Sequence, residues 1–550
     1  MSGDWASGRS GHSHMHIHLF SSMSPNLKRW LLVVAFVLFG LALRWPLLDQ
    51  FHLNSDEAWH LDLAGQNSLS EVISYNFAQS VHPPLYYLLL YELLQVTEKV
   101  GALRLLSVLP WMAWVFVCFR VGEKMGGGRM GLIWATIAAF TNGTFELSLG
   151  VREYMWMLLF ITAQFYYFLA LYEQPTRRAW AGYLLCGVLA LGFDYSAVPA
   201  IMVMGVLLIY RALFTLPVNW RAGMKAGLAH LLLAALFILL YLQHGFHHLE
   251  HARWYNSYYF SDPLTTLLLF SFFLSKFFIP LQYSSSAVLG SVSVLPGMTL
   301  PLCACIYSLC RCFNRFPVRR FFFLSLLLML VLNAMELYSS TFNTRLMSWM
   351  LPGIIAIVAL GVNQVFTVVP TKRRSALAVL LITLFGGSSM MLFQVANAAT
   401  KGDYQAFLKA ADTIGAKDLA VMDIQTMMIL RPKSDWQIVA NGAHLTEARW
   451  NGRRVLYPNW RKMDTIDTQT GKRTGGIALY AQPLAYFAQQ LEQEHHHHDV
   501  WLLQLGYIPD LGKDCQEALE PHVHLRQASG GMIARFTAED FAAFVDRCPV

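Results

Sequence analysis

Two acidic residues, Asp56 and Glu57, follow the first long apolar stretch of the chain, in the run 53–60 (LNSDEAWH). A second run, 81–87 (VHPPLYY), places His82 just ahead of the next apolar residues. Carboxylates beside a bilayer are costly to desolvate and are functional candidates by default. A carboxylate in this position can accept a proton as a general base, and a histidine can contact an anionic group.

The elements that must position these residues are hydrophobic helices. Of the 550 residues, 55% are hydrophobic and 14% are charged, whereas soluble proteins carry about 25% charged residues. Stretches of about 17–25 apolar residues recur, each long enough to cross a bilayer. The net charge of +7 does not indicate nucleic acid, because the basic residues lie mostly in short loops between spans, the pattern that orients a membrane chain. The sequence therefore predicts an α-helical polytopic membrane protein.

We predict about eleven transmembrane helices. They cover residues 30–48, 104–121, 130–148, 155–173, 180–193, 196–213, 226–243, 287–310, 320–337, 349–367 and 375–395. The apolar runs 84–96 and 264–281 are short or interrupted, and are predicted to lie in the outer interface or to be half-inserted. With the N-terminus inside and an odd number of spans, the basic clusters all fall inside and the C-terminus falls outside.

The chain divides into three predicted parts. Residues 1–27 are polar and rich in Ser, His and Gly, which is typical of a disordered cytoplasmic tail. No small-residue cleavage site follows the first apolar stretch, which favours a retained helix over a removed signal peptide. Residues 28–400 form the predicted transmembrane domain, with the first outer loop at 49–103, and residues 401–550 form an extracytoplasmic α/β domain.

Within residues 401–550 the patterns are those of short strands and helices. The predicted strands are Leu419–Ile424, Trp436–Ala440, Ile477–Tyr480 and Val500–Leu505, and the predicted helices are Gly402–Ala416, Pro483–Glu494 and Ala538–Asp546. The His495–His498 run can bind metal, although a solvated helix end or loop more often explains such a run. Cys515 and Cys548 are the two cysteines of this part, and outside the cytoplasm they are expected to form a disulfide.

The candidate chemical groups all face the predicted outer side. Nucleotide sugars are cytoplasmic, so an enzyme acting there usually takes its sugar from a polyprenyl phosphate. Such a transfer needs a base for the acceptor hydroxyl and cations for the leaving phosphate. Asp56 is the candidate base, and Arg152, Arg345 and His82 are candidate phosphate contacts.

Several short motifs resemble, in their order, those of the C-type glycosyltransferases (GT-C), near the protein O-mannosyltransferases and the lipid A aminoarabinose transferases. The motifs are 56–59 (DEAW), 82–87 (HPPLYY), 102–107 (ALRLLS), 152–154 (REY), 343–347 (NTRLM) and 351–353 (LPG). The resemblance covers roughly residues 30–400. It implies the GT-C fold, a polyprenyl-phosphate-linked sugar donor, inversion at the anomeric carbon, and a glycan, lipid or protein acceptor at the outer face of a bacterial inner membrane.

The resemblance also implies roles for individual residues. Asp56 is the implied catalytic base. Glu57 is a second candidate catalytic residue, with tuning or orienting Asp56 as the alternative role. The residues expected near the donor phosphate are His82, Arg152, Arg345 and Arg104. Tyr154 is a candidate substrate contact, and Asp194 is either a substrate contact or a structural hydrogen-bonding residue.

One position departs from the family pattern. The carboxylate expected in the second outer loop is missing at Gly150, and on a helix neither Glu146 nor Glu153 would point the same way. This departure argues against a metal shared between the first and second outer loops, and the sequence identifies no certain cofactor. A divalent metal, if bound, would take Asp56, Glu57 and His82 as oxygen and nitrogen donors.

Structural roles and other functions compete with this interpretation. Asp56 and Glu57 also suit a helix N-terminus, His82 precedes prolines that suit a first helical turn, and Arg152 can extend to the interface. A transporter or flippase of lipid-linked sugars would show internal repeats and charges near the midplane, and we find no convincing repeat. An O-antigen polymerase or ligase typically has its large outer loop late in the chain, whereas here the acidic loop comes first.

Overall fold

The computed structural model describes residues 23–48, 55–80, 82–97, 99–214, 218–244, 277, 316–335, 348–370, 373, 405–422, 426–427, 430, 435–441, 445–458, 478–504, 513–526 and 532–547. The predicted spans 287–310 and 375–395, most of the run 264–281 and the N-terminal tail up to residue 22 lie outside the described residues. Arg345 and Cys548 also lie outside them.

The first part of the chain is helical. Its helices are α1 (Pro25–Arg44), α2 (Ser55–Ala64), α3 (Leu69–Gln79), α4 (Leu85–Leu94), α5 (Val100–Gly126), α6 (Gly128–Phe140), α7 (Asn142–Leu149), α8 (Tyr154–Glu173), α9 (Arg177–Phe193), α10 (Val198–Phe214), α11 (Trp220–Gln243), α12 (Phe316–Ala334) and α13 (Leu351–Val368). Side-chain caps begin several of them: Ser24, Thr176 and Asn219 each accept a hydrogen bond from the backbone N–H three residues on.

Six of the described helical segments are long and apolar enough to cross a membrane. They are Pro25–Leu47, Val100–Gly126, Tyr154–Glu173, Tyr195–Phe214, Trp220–Gln243 and Ser348–Val368. The helix α11 buries little of its apolar surface in the protein, and Leu231, Leu239 and Leu242 are exposed along it. Exposed leucines at this density belong against lipid rather than water. The chain is an α-helical polytopic membrane protein.

The prediction of one continuous helix over residues 130–148 is wrong. The helix α6 ends at Phe140 and α7 begins at Asn142, because Thr141 between them is extended. A helix end leaves carbonyl groups without intrahelical partners. Here the indole N–H of Trp111 donates to the carbonyl of Ala138 at 3.1 Å, and a guanidinium N–H of Arg44 donates to that of Ala139 at 3.2 Å. The break is therefore stabilised by side chains of α5 and α1.

Arg44 ties α1 to both sides of this break. Its guanidinium also donates to Ser148 Oγ at 2.7 Å and to Thr144 Oγ1 at 3.2 Å, both on α7. The guanidinium carbon lies 3.7 Å from the ring centroid of Trp111 and 3.8 Å from that of Phe145. A fully buried cation is thus held by neutral oxygens and aromatic faces, and it fixes the end of α1 that leads to Asp56.

The second part of the chain is a seven-stranded mixed sheet with helices. Its strands are β1 (Leu419–Met422), β2 (Trp436–Asn441), β3 (Leu445–Trp450), β4 (Arg453–Pro458), β5 (Val500–Gln504), β6 (Val523–Arg526) and β7 (Met532–Phe536), in the order β2-β3-β4-β1-β5-β7-β6. The central strand β1 is parallel to β4 and β5, and the other neighbours are antiparallel. The helices are α14 (Ala478–Gln493), α15 (Lys513–Leu519) and α16 (Ala538–Arg547), with a further helix over 405–411.

The sequence-based prediction of a C-terminal α/β fold is confirmed, with corrections in detail. The predicted strand Ile477–Tyr480 is wrong, because residues from Ala478 onward form the start of α14. Four strands, β3, β4, β6 and β7, were not predicted. The hairpin between β3 and β4 turns at Asn451 and Gly452, which both have positive φ (49° and 79°), the pair of conformations that favours Asn-Gly in a tight hairpin.

The sheet contacts the helical part through the segment after α1. Trp59 of α2 and Tyr75 of α3 pack against the apolar cluster on one face of the sheet, which includes Trp450, Trp501 and Ile533. The same two aromatic residues pack against Leu63, Val72 and Tyr87 on their other side. Helix α2, which carries Asp56, and helix α3 therefore lie between the membrane helices and the C-terminal sheet.

Candidate active site

Five connections meet at one end of the membrane helices. They are the start of α2, the turn before α4, the start of α5, the turn between α7 and α8, and the turn between α9 and α10. The opposite end carries basic residues, where Lys124 Nζ lies 2.8 Å from Glu173 Oε2 and Arg129 Nε donates to Asn363 Oδ1 at 2.7 Å. The candidate residues and the basic loops therefore lie at opposite ends of the helices.

Asp56 and Arg152 form an ion pair at the surface of this site. The carboxylate contacts a terminal guanidinium nitrogen of Arg152. The side chain of Asp56 is 58% exposed, whereas that of Arg152 is 7% exposed. Arg152 Nε is buried and has no hydrogen-bond partner among the described residues. The pair thus presents an accessible carboxylate beside a buried cation with one donor still available.

Glu57, the second acid, faces the protein interior. Its Oε1 accepts a hydrogen bond from the backbone N–H of Val151 at 2.8 Å, and its Oε2 lies 3.8 Å from Arg104 Nη2. Arg104 is itself buried and donates to the carbonyl of Leu48 at 2.7 Å. Glu57 and Arg104 therefore join three chain segments, namely the end of the first span, the start of α2 and the turn at 150–153.

The turn at residues 150–153 brings Glu153 into the site. These residues are not helical, and the hydroxyl of Ser107 holds the turn by donating to the carbonyl of Arg152 at 3.1 Å. The expectation that Glu153 would point away assumed a continuous helix. With the helix interrupted, Glu153 is fully buried and its carboxylate faces His60 and His82.

His60 connects Glu153 to the backbone of Asp56. Its Nδ1 donates to the carbonyl oxygen of Asp56 at 2.7 Å, and its Nε2 lies 2.6 Å from Glu153 Oε2. Since both are oxygen acceptors, a proton must lie between Nε2 and the carboxylate. The hydroxyl of Tyr87 also lies 3.2 Å from Nε2 and 3.1 Å from Ser80 Oγ. The position of the Asp56 backbone is thereby coupled to Glu153.

His82 lies between two buried carboxylates. Its Nδ1 is 3.4 Å from Glu153 Oε1 and 3.8 Å from Asp194 Oδ1. The backbone of His82 is fixed, because its carbonyl accepts from Asn76 Nδ2 at 3.2 Å and from His244 Nε2 at 3.1 Å. Among the described residues, His82, Glu153 and Asp194 are the group that could hold a metal ion, with one ligand atom from each within 4.8 Å of the others.

Electrostatics at this cluster favour the ionised forms of Glu153, His82 and Arg152, whereas burial lowers the pKa of His60. Burial alone would raise the pKa of Glu153, but the charges of His82, His60 and Arg152 outweigh it and hold that pKa well below its usual range. Burial alone would lower the pKa of His82, yet attraction to Glu153 and Asp194 raises it above the ordinary value. The pKa of Arg152 is also raised, since Tyr154, Asp56 and the two glutamates oppose the effect of burial.

The sequence-predicted residues thus fall into two groups. Asp56 and Arg152 form one pair, and His82 and Asp194 meet at Glu153. Tyr154 adjoins both groups, with its ring 5.8 Å from the Arg152 guanidinium and 6.3 Å from the His82 ring. Asp56 and Glu57 do not join His82 in a common ligand set, since their carboxylates face Arg152 and Arg104.

Comparison with known proteins identifies the fold. No protein-family model and no curated protein sequence matches the chain. Among solved structures, ArnT from Cupriavidus metallidurans bound to undecaprenyl phosphate matches over 92% of this chain and 97% of its own, with a TM-score of 0.52 at 12% identity. This chain has the C-type glycosyltransferase fold.

Two further structures match less well. The apo state of the same ArnT covers 93% of this chain and 98% of its own, with a TM-score of 0.48 and 13% identity. An oligosaccharyltransferase from Archaeoglobus fulgidus covers 89% of this chain and 68% of its own, with a TM-score of 0.46 and 12% identity.

The site of this GT-C fold contains residues that the sequence did not single out. His60 lies four residues after Asp56 on α2, a spacing that places two residues on one helix face, so the helical spacing was a usable signal. Glu153 required knowledge that the helix stops at Leu149. His244 comes from the far end of α11, and nothing in the sequence indicates its contact with His82.

Proposed function

We propose that this chain transfers a sugar from a polyprenyl-phosphate carrier to an acceptor hydroxyl at the outer face of a bacterial inner membrane, with inversion at the anomeric carbon. The observation that carries the proposal is the Asp56–Arg152 pair, an accessible carboxylate held against a buried guanidinium at one end of the membrane helices. The fold shared with ArnT, whose structure contains undecaprenyl phosphate, supports a lipid-linked donor.

Asp56 is the proposed catalytic base. Its carboxylate is exposed enough to meet an acceptor hydroxyl, and it takes the hydroxyl proton as the oxygen bonds to the anomeric carbon. The bond between that carbon and the phosphate oxygen breaks, and its electron pair leaves with the phosphate. Attack from the face opposite the leaving phosphate inverts the anomeric centre, so no covalent enzyme intermediate forms.

Arg152 is the proposed main contact for the leaving phosphate. Its buried Nε has a donor available, and a guanidinium matches the geometry of a phosphate group. Interactions that strengthen as charge develops on the leaving group lower the barrier for transfer. His82 and Arg345 are proposed to assist, and Tyr154 to contact the substrate. Arg104 is proposed to act through Glu57, which it helps to hold against the turn at 150–153.

The proposed orientation follows from the loops. Basic residues at the end opposite the site favour the cytoplasmic side, which puts the site and the domain 401–550 outside. Cys515 is disulfide-bonded, which is compatible with an oxidising compartment. Its pairing with Cys548 stays a prediction, since Cys548 lies outside the described residues.

The test compares surface glycans and envelope lipids by mass spectrometry in cells with the gene, without it, and with Asp56→Asn. We expect one glycan or lipid species to lose a sugar without the gene, and the Asp56→Asn variant to reproduce that loss while still inserting in the membrane. Removing a general base typically lowers the rate by about 10²–10⁴-fold.

The matched control is Glu71→Gln. Glu71 is an exposed carboxylate in the first turn of α3, in the same predicted outer loop. This variant should keep the sugar. Normal transfer by Asp56→Asn would refute the catalytic assignment, and an unchanged sugar content in cells without the gene would refute the proposed activity.

A further inference from the structure

His244 follows the last residue of α11 and contacts two turns of the candidate site at once. Its side chain is fully buried. Its Nε2 lies 3.1 Å from the carbonyl oxygen of His82, and its Nδ1 lies 3.1 Å from the hydroxyl of Tyr195. The ring of Phe77 on α3 packs edge-on against it, with 4.9 Å between the ring centroids. One side chain thus joins the end of α11 to α3, to the turn before α4 and to the turn between α9 and α10.

The partners of His244 determine where its protons lie. A carbonyl oxygen only accepts hydrogen bonds, so Nε2 must carry a proton and donate it to His82. In a neutral ring Nδ1 is then an acceptor, and the Tyr195 hydroxyl donates to it. An imidazolium would instead donate from Nδ1 to the carbonyl of Leu240, which is also 3.1 Å away. In either state the hydrogen bond to the His82 backbone comes from Nε2.

This hydrogen bond fixes the residue whose imidazole lies deepest in the site. The His82 ring is 3.4 Å from Glu153 Oε1 and 3.8 Å from Asp194 Oδ1. Tyr195, the other partner of His244, is the neighbour of Asp194 in the chain. His244 therefore holds the backbone on both sides of the contact between His82 and Asp194, and it sets the separation of the two turns.

A second histidine of α11 shows what ordinary helix packing requires. His230 Nδ1 lies 2.7 Å from the carbonyl of Ala226, one turn earlier, so this nitrogen donates. Its Nε2, 2.8 Å from the Tyr183 hydroxyl, then accepts from it. Both ring nitrogens are used within α9 and α11, about 21 Å from His244 along the helix. His244 has the same pairing with a tyrosine, but its other nitrogen is directed to the backbone of the site.

We propose that His244 is a positioning residue for donor binding, and that its Nε2–H holds the His82 backbone so that the imidazole faces the donor phosphate. This inference rests on the proposed function, in which His82 assists Arg152 at that phosphate. His244 acts through His82 and touches neither donor nor acceptor. The donor phosphate is anionic before the reaction begins, so the effect falls mainly on donor binding and less on turnover at saturating donor.

The test measures the affinity of the purified full-length protein for undecaprenyl phosphate, by titration in detergent followed by native mass spectrometry. His244→Leu removes the donor and should raise the dissociation constant by at least about fivefold, the value of one hydrogen bond. His244→Gln keeps an amide N–H that can reach the His82 carbonyl, and its dissociation constant should stay within about twofold of the unaltered protein.

The matched control is His230→Leu. It removes a histidine with a tyrosine partner from the same helix, but at a distance from the site. This variant should keep the affinity of the unaltered protein. Equal affinities for His244→Leu and His230→Leu would overturn the proposal. Equal weakening by His244→Leu and His244→Gln would also overturn it, because the loss would then come from ring packing against Phe77.

A double variant tests whether His244 acts through the His82 side chain. His82→Ala keeps the backbone carbonyl and its hydrogen bond but removes the imidazole. Adding His244→Leu to His82→Ala should therefore raise the dissociation constant no further. A second rise as large as the first would show that His244 acts by another route and would contradict the proposal.

Steady-state kinetics separates positioning from general damage to the fold. His244→Leu should raise KM for the lipid-linked donor, with kcat within about twofold of the unaltered protein; an equal fall in kcat with unchanged KM would refute the positioning role. Failure of the unaltered protein to bind undecaprenyl phosphate would refute the proposed function, and this inference with it. Binding that is unchanged in His244→Leu would refute this inference alone.

Discussion

The carboxylate of Asp56 contacts the guanidinium of Arg152, and the two side chains differ sharply in exposure. Asp56 is open to an incoming molecule, whereas Arg152 is buried beneath it and its backbone is fixed by Ser107. An opposite charge in contact favours the ionised carboxylate. The pair therefore places a carboxylate at the surface with a cation immediately behind it.

Replacing Arg152 with Gln should lower the transfer rate more than it weakens acceptor binding. Removing a hydrogen-bond donor that stabilises charge developing in the transition state lowers turnover by about 10²–10³-fold. Steady-state kinetics with a lipid-linked donor will measure this, with the drop expected mainly in kcat. The control is Arg120→Gln, which removes an exposed arginine paired with Glu123 at the opposite end of the helices. Equal kinetics for the two variants would argue against the role of Arg152.

Replacing His60 with Leu should destabilise the protein. The change removes the 2.6 Å contact to Glu153 and the 2.7 Å contact to the Asp56 carbonyl. Each buried acceptor left without its partner costs about 1–3 kcal/mol, which should appear as a lower melting temperature in detergent.

The companion variant to His60→Leu is Tyr87→Phe. It removes only a hydroxyl 3.2 Å from His60, and a single hydrogen bond contributes about 1 kcal/mol. If the two variants melt at the same temperature, the contacts of His60 with Glu153 and the Asp56 carbonyl do not stabilise the fold to the expected extent.

The pKa shifts of Glu153 and His82 should make the stability of the protein depend on pH. The lowered pKa of Glu153 stabilises the fold above its unfolded-state value of about 4.3, and this contribution is lost as pH falls further. The raised pKa of His82 stabilises the fold below its unfolded-state value of about 6.5, and this contribution is lost as pH rises through the folded-state value.

Melting curves recorded in EDTA from pH 4 to pH 9 will test this. The contribution of His82 should be lost as pH rises above about 6.5, whereas the lowered pKa of His60 acts in the opposite direction. His82→Asn should flatten the alkaline side. If the melting temperature of His82→Asn declines equally at alkaline pH, groups other than His82 cause the decline.

Replacing Arg44 with Met should destabilise the break between α6 and α7. Methionine fills a similar volume but cannot donate to the Ala139 carbonyl or to the hydroxyls of Thr144 and Ser148. Each buried polar group left without a partner costs about 1–3 kcal/mol. Because these partners are uncharged, no buried counter-ion is left behind to complicate the comparison. Thermal unfolding against Arg120→Met, at an exposed arginine, measures the effect.

The hydrophobic pattern was sufficient to predict most of the described membrane helices. Apolar runs as long as α8, α10 and α13 are long enough to cross a bilayer as helices, and few other structures suit them there. The pattern failed at Thr141, because the residues on both sides are apolar and the break is stabilised from outside by Arg44 and Trp111. Contacts between distant segments leave no signal in the local sequence.

The candidate site was predicted only in part, because some of its contacts also join distant segments of the chain. Asp56 and His82 stand out because polar residues beside apolar runs are conspicuous. Glu153 was set aside since its orientation depends on where α7 ends, and His60 was not singled out although it stands in the run 53–60. In the C-terminal part, two of the inward positions of β3 are Thr446 and Ala448, and β4 begins with the adjacent Arg453 and Arg454, so the apolar alternation expected of strands is weak.

Bilayer thickness should influence catalysis in this protein. The eight-residue helix α7 is about 12 Å long. It runs from the break at Thr141 to the turn that carries Arg152 and Glu153. Arg44, at the end of the first membrane span, donates hydrogen bonds to it. A lipid whose acyl chains mismatch the hydrophobic length of that span would tilt or shift it. The short helix would transmit such a shift to Arg152, so turnover in vesicles of different acyl-chain length should pass through an optimum.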